Sequence, residues 1–321
     1  MTSARFAWLT LLAMFVTSCS TTTSSSQQED DPYLWLEEVQ SSKALDWVEA
    51  QNKKTLPRLE GDARFQPLKK DLLKILQSKE RIAYPDIKGA WIYNFWQDEK
   101  SIRGVWRRTT REEYRKTKPR WETVLDLDLL AKQEDENWVW KGASCLPPQD
   151  RRCLIRLSRG GKDAVVIREF DIVEKRFVRD GFQLPEAKSN TTWIDENTVL
   201  VGTDYGEGSM THSGYPRVIK LWGRGSDLED ALKIYEGSIT DVSAFAFTSF
   251  RPEGNFTFVG SSPSFFEQEI FLLQKDNSLK KIPFPKDSDF SGVFQGLLLV
   301  TLRSEWIIGQ KTFSAGTALS L

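Results

Sequence analysis

The chain has 321 residues, 44 basic against 45 acidic side chains, a formal net charge of −1 and 40% hydrophobic residues. That hydrophobic share is enough to build a core, and the charge balance excludes a global field drawing nucleic acid or an acidic membrane surface. Twelve Trp and nineteen Phe favour strands, whose pleated, half-buried surfaces accommodate aromatic rings.

Arg5 is the only charge before an apolar run from Phe6 to Val16. The run is too short to span a bilayer as a stable helix and reads as the centre of a signal peptide. It ends in Val16-Thr17-Ser18-Cys19, which resembles a bacterial lipobox. On that reading residues 1–19 are a lipoprotein signal peptide, and Cys19 is acylated and becomes the mature N-terminus. Ser20 in place of an acidic residue then implies passage to the outer membrane, facing the periplasm. An ordinary cleaved signal with a chance cysteine is the alternative. Residues 20–30 are mostly Ser, Thr and Gln, a composition that cannot pack and reads as a flexible tether.

Two helices are expected next, within residues 31–80. Ser42 caps one that runs through Asn52, before Pro57 and Gly61 break the pattern. From Phe65 to Lys79, Leu68, Leu72, Leu73, Ile75 and Leu76 recur at helical spacing and form an apolar stripe.

The texture changes after Tyr84-Pro85. Short apolar runs separated by turn residues fall into groups led by Ala90–Trp96, Trp138–Gly142, Thr198–Thr203, Ala244–Ser249 and Val293–Leu302. Arg159-Gly160-Gly161-Lys162 and Arg251-Pro252-Glu253-Gly254 supply tight-turn chemistry between them. The leading strands recur about every 50 residues, as four-stranded propeller blades do. The expected fold is therefore mainly β: an incomplete β-propeller of about four to five blades over residues 81–321, preceded by a short α-helical segment.

Asp31-Pro32-Tyr33-Leu34-Trp35-Leu36-Glu37-Glu38, followed by Trp47-Val48-Glu49-Ala50-Gln51-Asn52, resembles the opening of the prolyl oligopeptidase family. Trp121-Glu122-Thr123-Val124-Leu125-Asp126, Leu157 to Gly161 and Trp193-Ile194-Asp195 continue the resemblance into the strand region. Members of that family pair a β-propeller with an α/β-hydrolase domain that holds a Ser/Asp/His triad. The resemblance implies a serine-type oligopeptidase of short peptides whose propeller keeps folded proteins out. The chain as read stops before the hydrolase domain, so it is expected to be inactive by itself. A lipid-anchored propeller that binds or scaffolds without chemistry is the alternative.

The residues themselves offer little chemistry. No Gly-x-Ser-x-Gly turn occurs, and Gly142-Ala143-Ser144-Cys145-Leu146 lacks the final glycine. His212 is the sole histidine, so any Ser–His mechanism must use it, with Ser209, Ser213, Asp204 and Glu207 nearby in sequence. Such clustering within one Gly-rich loop argues for a solvated histidine rather than a triad, so no catalytic residue is assigned. Asp126 and Asp128 alternate on one expected strand and read as solvated, with a Ca²⁺ site as the alternative. Cys145 and Cys153 lack zinc-site spacing and flank a turn. They are either a cross-hairpin disulfide or two buried thiols, with the thiols preferred because sequence does not fix the Cβ separation. The basic run from Arg103 to Arg120 reads as a surface hairpin, with Glu112 and Glu113 inside it, and not as a nucleic-acid site. No metal or cofactor is expected; the partners are short peptides and, through Cys19, a bacterial membrane.

Overall fold

The computed structural model describes residues 31–78 and 80–321; Cys19, the signal sequence and the tether lie outside the described residues. The described residues up to Leu73 and those from Lys74 onward form two compact units.

In the first unit a 3-10 turn, Leu34–Glu37, precedes helix α1 (Ser42–Glu60) and helix α2 (Phe65–Leu76). The cap of α1 is Ser41 rather than Ser42: its Oγ accepts the Ala44 N–H at 3.2 Å. The helix also continues past Asn52 and through Pro57 to Glu60. A proline deletes one backbone donor, and here the helix absorbs that loss near its end, where the Gly61 N–H closes onto the Pro57 carbonyl at 3.0 Å. Trp47 meets the rings of Tyr33 and Trp35 with centroids 6.4 and 6.2 Å apart. The two halves of the opening motif are thus one aromatic contact. The apolar stripe of α2 forms as expected, and Leu68, Leu72, Leu73, Ile75 and Leu76 are each half or more exposed.

The second unit is a succession of antiparallel sheets in chain order. The first contains β1 (Asp86–Lys88), β2 (Trp91–Trp96), β3 (Val105–Thr110) and β4 (Glu122–Asp126). Helices α3 (Arg111–Tyr114) and α4 (Leu127–Glu134) interrupt and follow it. The second contains β5 (Trp138–Cys145), β6 (Arg152–Arg159), β7 (Val165–Asp171), β8 (Arg176–Phe177) and β9 (Gln183–Ala187), with β8 and β9 both pairing with β7. The third runs β10 (Asn190–Asp195), β11 (Thr198–Gly202), β12 (Val218–Gly223) and β13 (Leu232–Glu236). The fourth runs β14 (Ser243–Arg251), β15 (Gly254–Ser264), β16 (Glu267–Leu273) and β17 (Leu279–Lys281). In the fifth, β18 (Asp289–Phe294) and β19 (Leu297–Thr301) pair with β22 (Ala318–Ser320), while β20 (Trp306–Ile308) and β21 (Lys311–Phe313) form a separate ribbon.

The core lies between sheets. Successive side chains of a strand point to opposite faces, and here both faces are buried against neighbours. On β6, Cys153, Ile155 and Leu157 pack against the first sheet while Leu154 packs against the third. On β11, Val199 and Val201 face the second sheet and Leu200 the fourth; on β15, Val259 faces the third and Phe258 the fifth. Four apolar clusters therefore join five consecutive sheets, each fully buried aliphatic contributing about 1.5–3 kcal/mol. Face-to-face stacking of four-stranded meanders is propeller packing, and it explains why the inner strands read as nearly unbroken apolar runs.

Polar groups also cross these interfaces. Glu169 on β7 has no exposed surface. Its Oε2 accepts the Phe182 N–H at 2.9 Å and Arg224 Nη1 at 2.8 Å, and its Oε1 accepts Arg224 Nη2 at 3.1 Å. Arg224 follows β12, so this pair ties the second sheet to the third. At Gly260 the fourth sheet requires a missing side chain, because a Cβ there would stand 2.0 Å from the Glu269 carbonyl oxygen.

Several expectations change in the folded chain. Val293–Leu302 is two strands, because Gln295 and Gly296 both take positive φ (51° and 77°) and turn the chain back within the apolar run. Asp126 and Asp128 do not share a solvated strand face. Asp126 caps α4 by accepting the Leu129 N–H at 3.0 Å, and Asp128 accepts the Arg103 N–H at 3.1 Å. The strand expected over Trp138–Gly142 runs on to Cys145 as β5. The register of β5 with β6 sets Cys145 opposite Cys153, and the sulfurs are joined, 2.01 Å apart. The preferred reading of two buried thiols is therefore not the arrangement in the structure: pairing follows from strand register, which spacing alone does not reveal.

Candidate functional site at the loop-rich end of the propeller

Meander topology decides which loops meet. In a four-stranded antiparallel sheet, the start of the first strand, the turn between the second and third, and the end of the fourth share one end. The short crossing from Ala187 to Asn190, for example, keeps the end of one sheet beside the start of the next. One end of the unit thus gathers Gln97–Gly104, Gly160–Ala164, Thr203–Arg217 and Phe265–Phe266, with α4 in the first crossing. The other end holds the β3–β4 connection with α3, several tight turns and the Cys145–Cys153 disulfide.

Ion pairs fasten the loop-rich end of the second sheet to itself and to the crossings on either side of it, and a hydrogen bond carries the contact on to the third sheet. Arg159 reaches Glu136 at 2.8 Å and Glu186 at 3.2 Å, and Lys162 reaches Glu186 at 3.0 Å. Lys162, and then Arg159, hold the Glu186 carboxyl below the usual range despite some burial. Asp163 accepts the Tyr215 hydroxyl at 2.6 Å and lies 3.4 Å from Lys188, whose ammonium sits 4.1 Å from the Tyr215 ring centroid. The Tyr215 hydroxyl bond lowers the Asp163 pKa, and the same bond raises that of Tyr215.

The loop carrying His212 is held by its own hydroxyls. Ser209 is buried; its Oγ donates to the Gly206 carbonyl at 2.6 Å and accepts the Tyr205 N–H at 2.9 Å. Asp204 lies 3.2 Å from the same oxygen. Thr211 is also buried, and its Oγ1 donates to the Val242 carbonyl at 3.1 Å. The backbone N–H of His212 donates to Ile239 at 2.9 Å, while its side chain is exposed. Ser209 is thus spent on loop geometry, and among the described residues no hydrogen bond joins it to the imidazole. A nucleophile–base pair requires that bond. Residues near in sequence are here brought together as a fold-stabilising loop, and Ser213 stays exposed. Among the described residues no three His, Cys, Asp or Glu side chains gather as metal ligands would.

At the tip of the β15–β16 hairpin, Phe265 and Phe266 are 87% and 72% exposed. Sequence reading passed over them. A two-residue turn built from Phe-Phe where Gly, Asn or Asp is usual was the available signal.

The pattern of the prolyl oligopeptidase N-terminal β-propeller domain matches residues 19–296. The chain belongs to the prolyl oligopeptidase family. It is 42% identical over 288 residues to an uncharacterized peptidase of Sinorhizobium fredii, covering 88% of this chain and 40% of that protein. Against an uncharacterized peptidase of Rickettsia prowazekii the identity is 31% over 300 residues, with 89% and 42% covered. The solved structure of a post-proline cleaving enzyme from Rickettsia typhi superposes with a TM-score of 0.82 at 30% identity, over 89% of this chain and 43% of that one. Oligopeptidase B from Leishmania major shares the fold, with a TM-score of 0.65 at 15% identity over 84% and 37%. The chain therefore spans about two fifths of the length of these relatives. The family's propeller, expected from the opening motif and strand recurrence, is the fold observed.

Proposed function

We propose that this chain is the propeller part of a serine-type oligopeptidase acting on short peptides. Its loop-rich end screens what reaches the catalytic machinery, and the Ser/Asp/His set belongs to a hydrolase part outside these residues. The observation that carries this reading is the unbroken order of stacked sheets, which matches relatives described as peptidases. The bonding of Ser209 supports the second half, because among the described residues no hydroxyl is hydrogen-bonded to the sole histidine. A rigid, ion-paired end face suits a filter that admits extended peptides and rejects folded proteins by size. The reading includes export under the signal sequence and attachment through Cys19 to the outer membrane, facing the periplasm.

Two measurements test it. The purified chain should not hydrolyse fluorogenic peptides after proline or after basic residues. Turnover that co-purifies with the chain and disappears in His212→Ala would overturn the assignment. In cells bearing the gene, the protein should fractionate with membranes, since acyl chains contribute about 0.8 kcal/mol per buried CH₂. Cys19→Ala should leave it soluble or unprocessed, and unchanged membrane association in that variant would remove the anchor from the proposal.

A further inference from the structure

Arg156 on β6 lies within the interface between the second and third sheets, on the strand face that carries Leu154. It is partly buried, yet among the described residues no carboxylate lies within ion-pair reach of it, and burial alone acts on its pKa, lowering it. Its Nε donates to the Lys141 carbonyl and its Nη1 to the Ser144 hydroxyl, each at 3.4 Å. Both acceptors are neutral, and both bonds are longer than the usual range. Among the described residues Nη2 makes no hydrogen bond.

The same interface holds a finished guanidinium for comparison. Arg224 crosses from the third sheet and meets both oxygens of the sealed Glu169 carboxylate, at 2.8 and 3.1 Å. Arg156 has no such anion, and a guanidinium withdrawn from water without a counter-charge is costly. The two sheets that flank it are both present and packed together through Leu154, Trp193, Val199 and Val201. The counter-charge therefore does not come from a further sheet seated on an open face.

Three neighbours give the place its chemistry. Gly142 is paired with Arg156 across the ladder, and a Cβ there would stand 3.0 Å from Nη2, so the missing side chain leaves room beside the free nitrogen. The Ser144 hydroxyl accepts Nη1 and keeps its own hydrogen to give. From the third sheet comes Thr191 on β10, only 9% exposed, whose Oγ1 has no hydrogen-bond partner. Thr191 shares its strand face with Trp193, whose Nε1 donates to the Ser144 carbonyl at 2.9 Å. Strands β5 and β10 are each the first of their sheet and run the same way. Two residues back along either strand is about 6–7 Å, which sets Thr191 level with Gly142 and Arg156.

We propose that this cleft between the second and third sheets binds one small inorganic monoanion of the size of chloride, held by Arg156 Nη2 and the hydroxyls of Thr191 and Ser144. Water in the cleft satisfies the hydroxyls and leaves the guanidinium unanswered, whereas a single negative charge answers both. The room left by one absent side chain limits the ligand to very few atoms. The bound ion gives Arg156 the counter-charge that Glu169 gives Arg224, and fastens the two sheets at a second point. The inference concerns the propeller itself and does not depend on the peptide-screening role.

The test melts the full chain in sodium chloride and in sodium gluconate at equal ionic strength, so that screening is common to both and only chloride fits the cleft. With chloride about a hundredfold above its dissociation constant, the melting temperature should be about 5–10 °C higher than in gluconate. Arg156→Gln should abolish that difference, and Thr191→Val should reduce it. In gluconate Arg156→Gln should melt no lower than the unmodified chain, because it removes a desolvated charge that nothing there neutralises. Equal melting of the unmodified chain in the two salts overturns the proposal. So does an Arg156→Gln chain that melts lower by the same amount in both, since the arginine would then serve packing alone. Chloride NMR line widths supply a reading that needs no folded variant: the unmodified chain should broaden the chloride signal, and bromide should displace that broadening. A signal left as narrow as in buffer, or broadening that persists unchanged in Arg156→Gln, overturns the site.

Discussion

Arg107 and Arg108 are consecutive residues of one strand, and between them they report on two differently built faces of the same sheet. The inner face is a sealed interface. Trp106 is 3% exposed and lies 5.3 Å from Tyr93, 5.4 Å from Trp140 and 6.3 Å from Phe170 between centroids. At its margin Arg108 is neutralised by Glu122. On the outer face the Arg107 guanidinium carbon lies 4.3 Å from the ring centroids of both Trp96 and Trp121, and among the described residues no carboxylate pairs with it. Period-two alternation therefore places similar side chains of one strand in opposite circumstances.

Trp106→Ala should break that comparison hardest. It removes a large side chain from a packed interface, where such truncations cost about 3–5 kcal/mol. Chemical denaturation should show a loss of that size, and a loss under about 1 kcal/mol would mean that the inner face is not the sealed one. Trp121→Ala takes a half-buried ring from the outer face and should cost far less, about 0.5–2 kcal/mol, mostly from the lost cation–π contact. Equal penalties for the two tryptophans would erase the distinction drawn between the faces.

The smallest effect concerns the margin. Arg108, and then Lys175, hold the Glu122 carboxyl at about 2, below its ordinary 4.5. A depressed folded-state pKa contributes stability that is present above the ordinary value and lost as pH falls toward 2. Glu122 is 40% exposed, so after solvent screening the contribution is about 1 kcal/mol or less. Melts at pH 7 and near pH 2.5 should show the wild type losing slightly more stability on acidification than Glu122→Gln. An identical acid response in the two proteins would assign the pair no role.

How much of this was legible in the sequence depends on what each feature requires. Strands such as β6, β11 and β15 announce themselves, because burial on both faces writes a dense apolar run. Short β1 has no such signature, and β10, whose Asn190, Thr191 and Thr192 are polar, hides its burial. Helix α4 was concealed by the alternation Leu125-Asp126-Leu127-Asp128, which reads as a strand until Asp126 is seen as a cap. The disulfide depends on the register of β5 against β6, a long-range property that spacing does not encode. Arg107 was lost inside a basic run, since its neighbours Arg103, Arg108 and Arg111 give no hint that one member sits between two indoles. For the His212 loop, the one-histidine argument against a triad came from the sequence, but the role of Ser209 as a loop fastener needed coordinates.

The Glu169–Arg224 pair has a consequence for assembly as well as for strength. Sheets of a propeller are near-copies of one another, and a collapsing chain can stack them in several orders that bury similar apolar area. A carboxylate sealed between the second and third sheets removes that freedom. Any other neighbour placed over β7 takes away the Arg224 guanidinium and leaves Glu169 with Arg152 of its own sheet at 3.9 Å, and removing one partner of a buried pair costs about 3–5 kcal/mol. The pair therefore acts as an address, telling the third sheet which of several similar surfaces is its own.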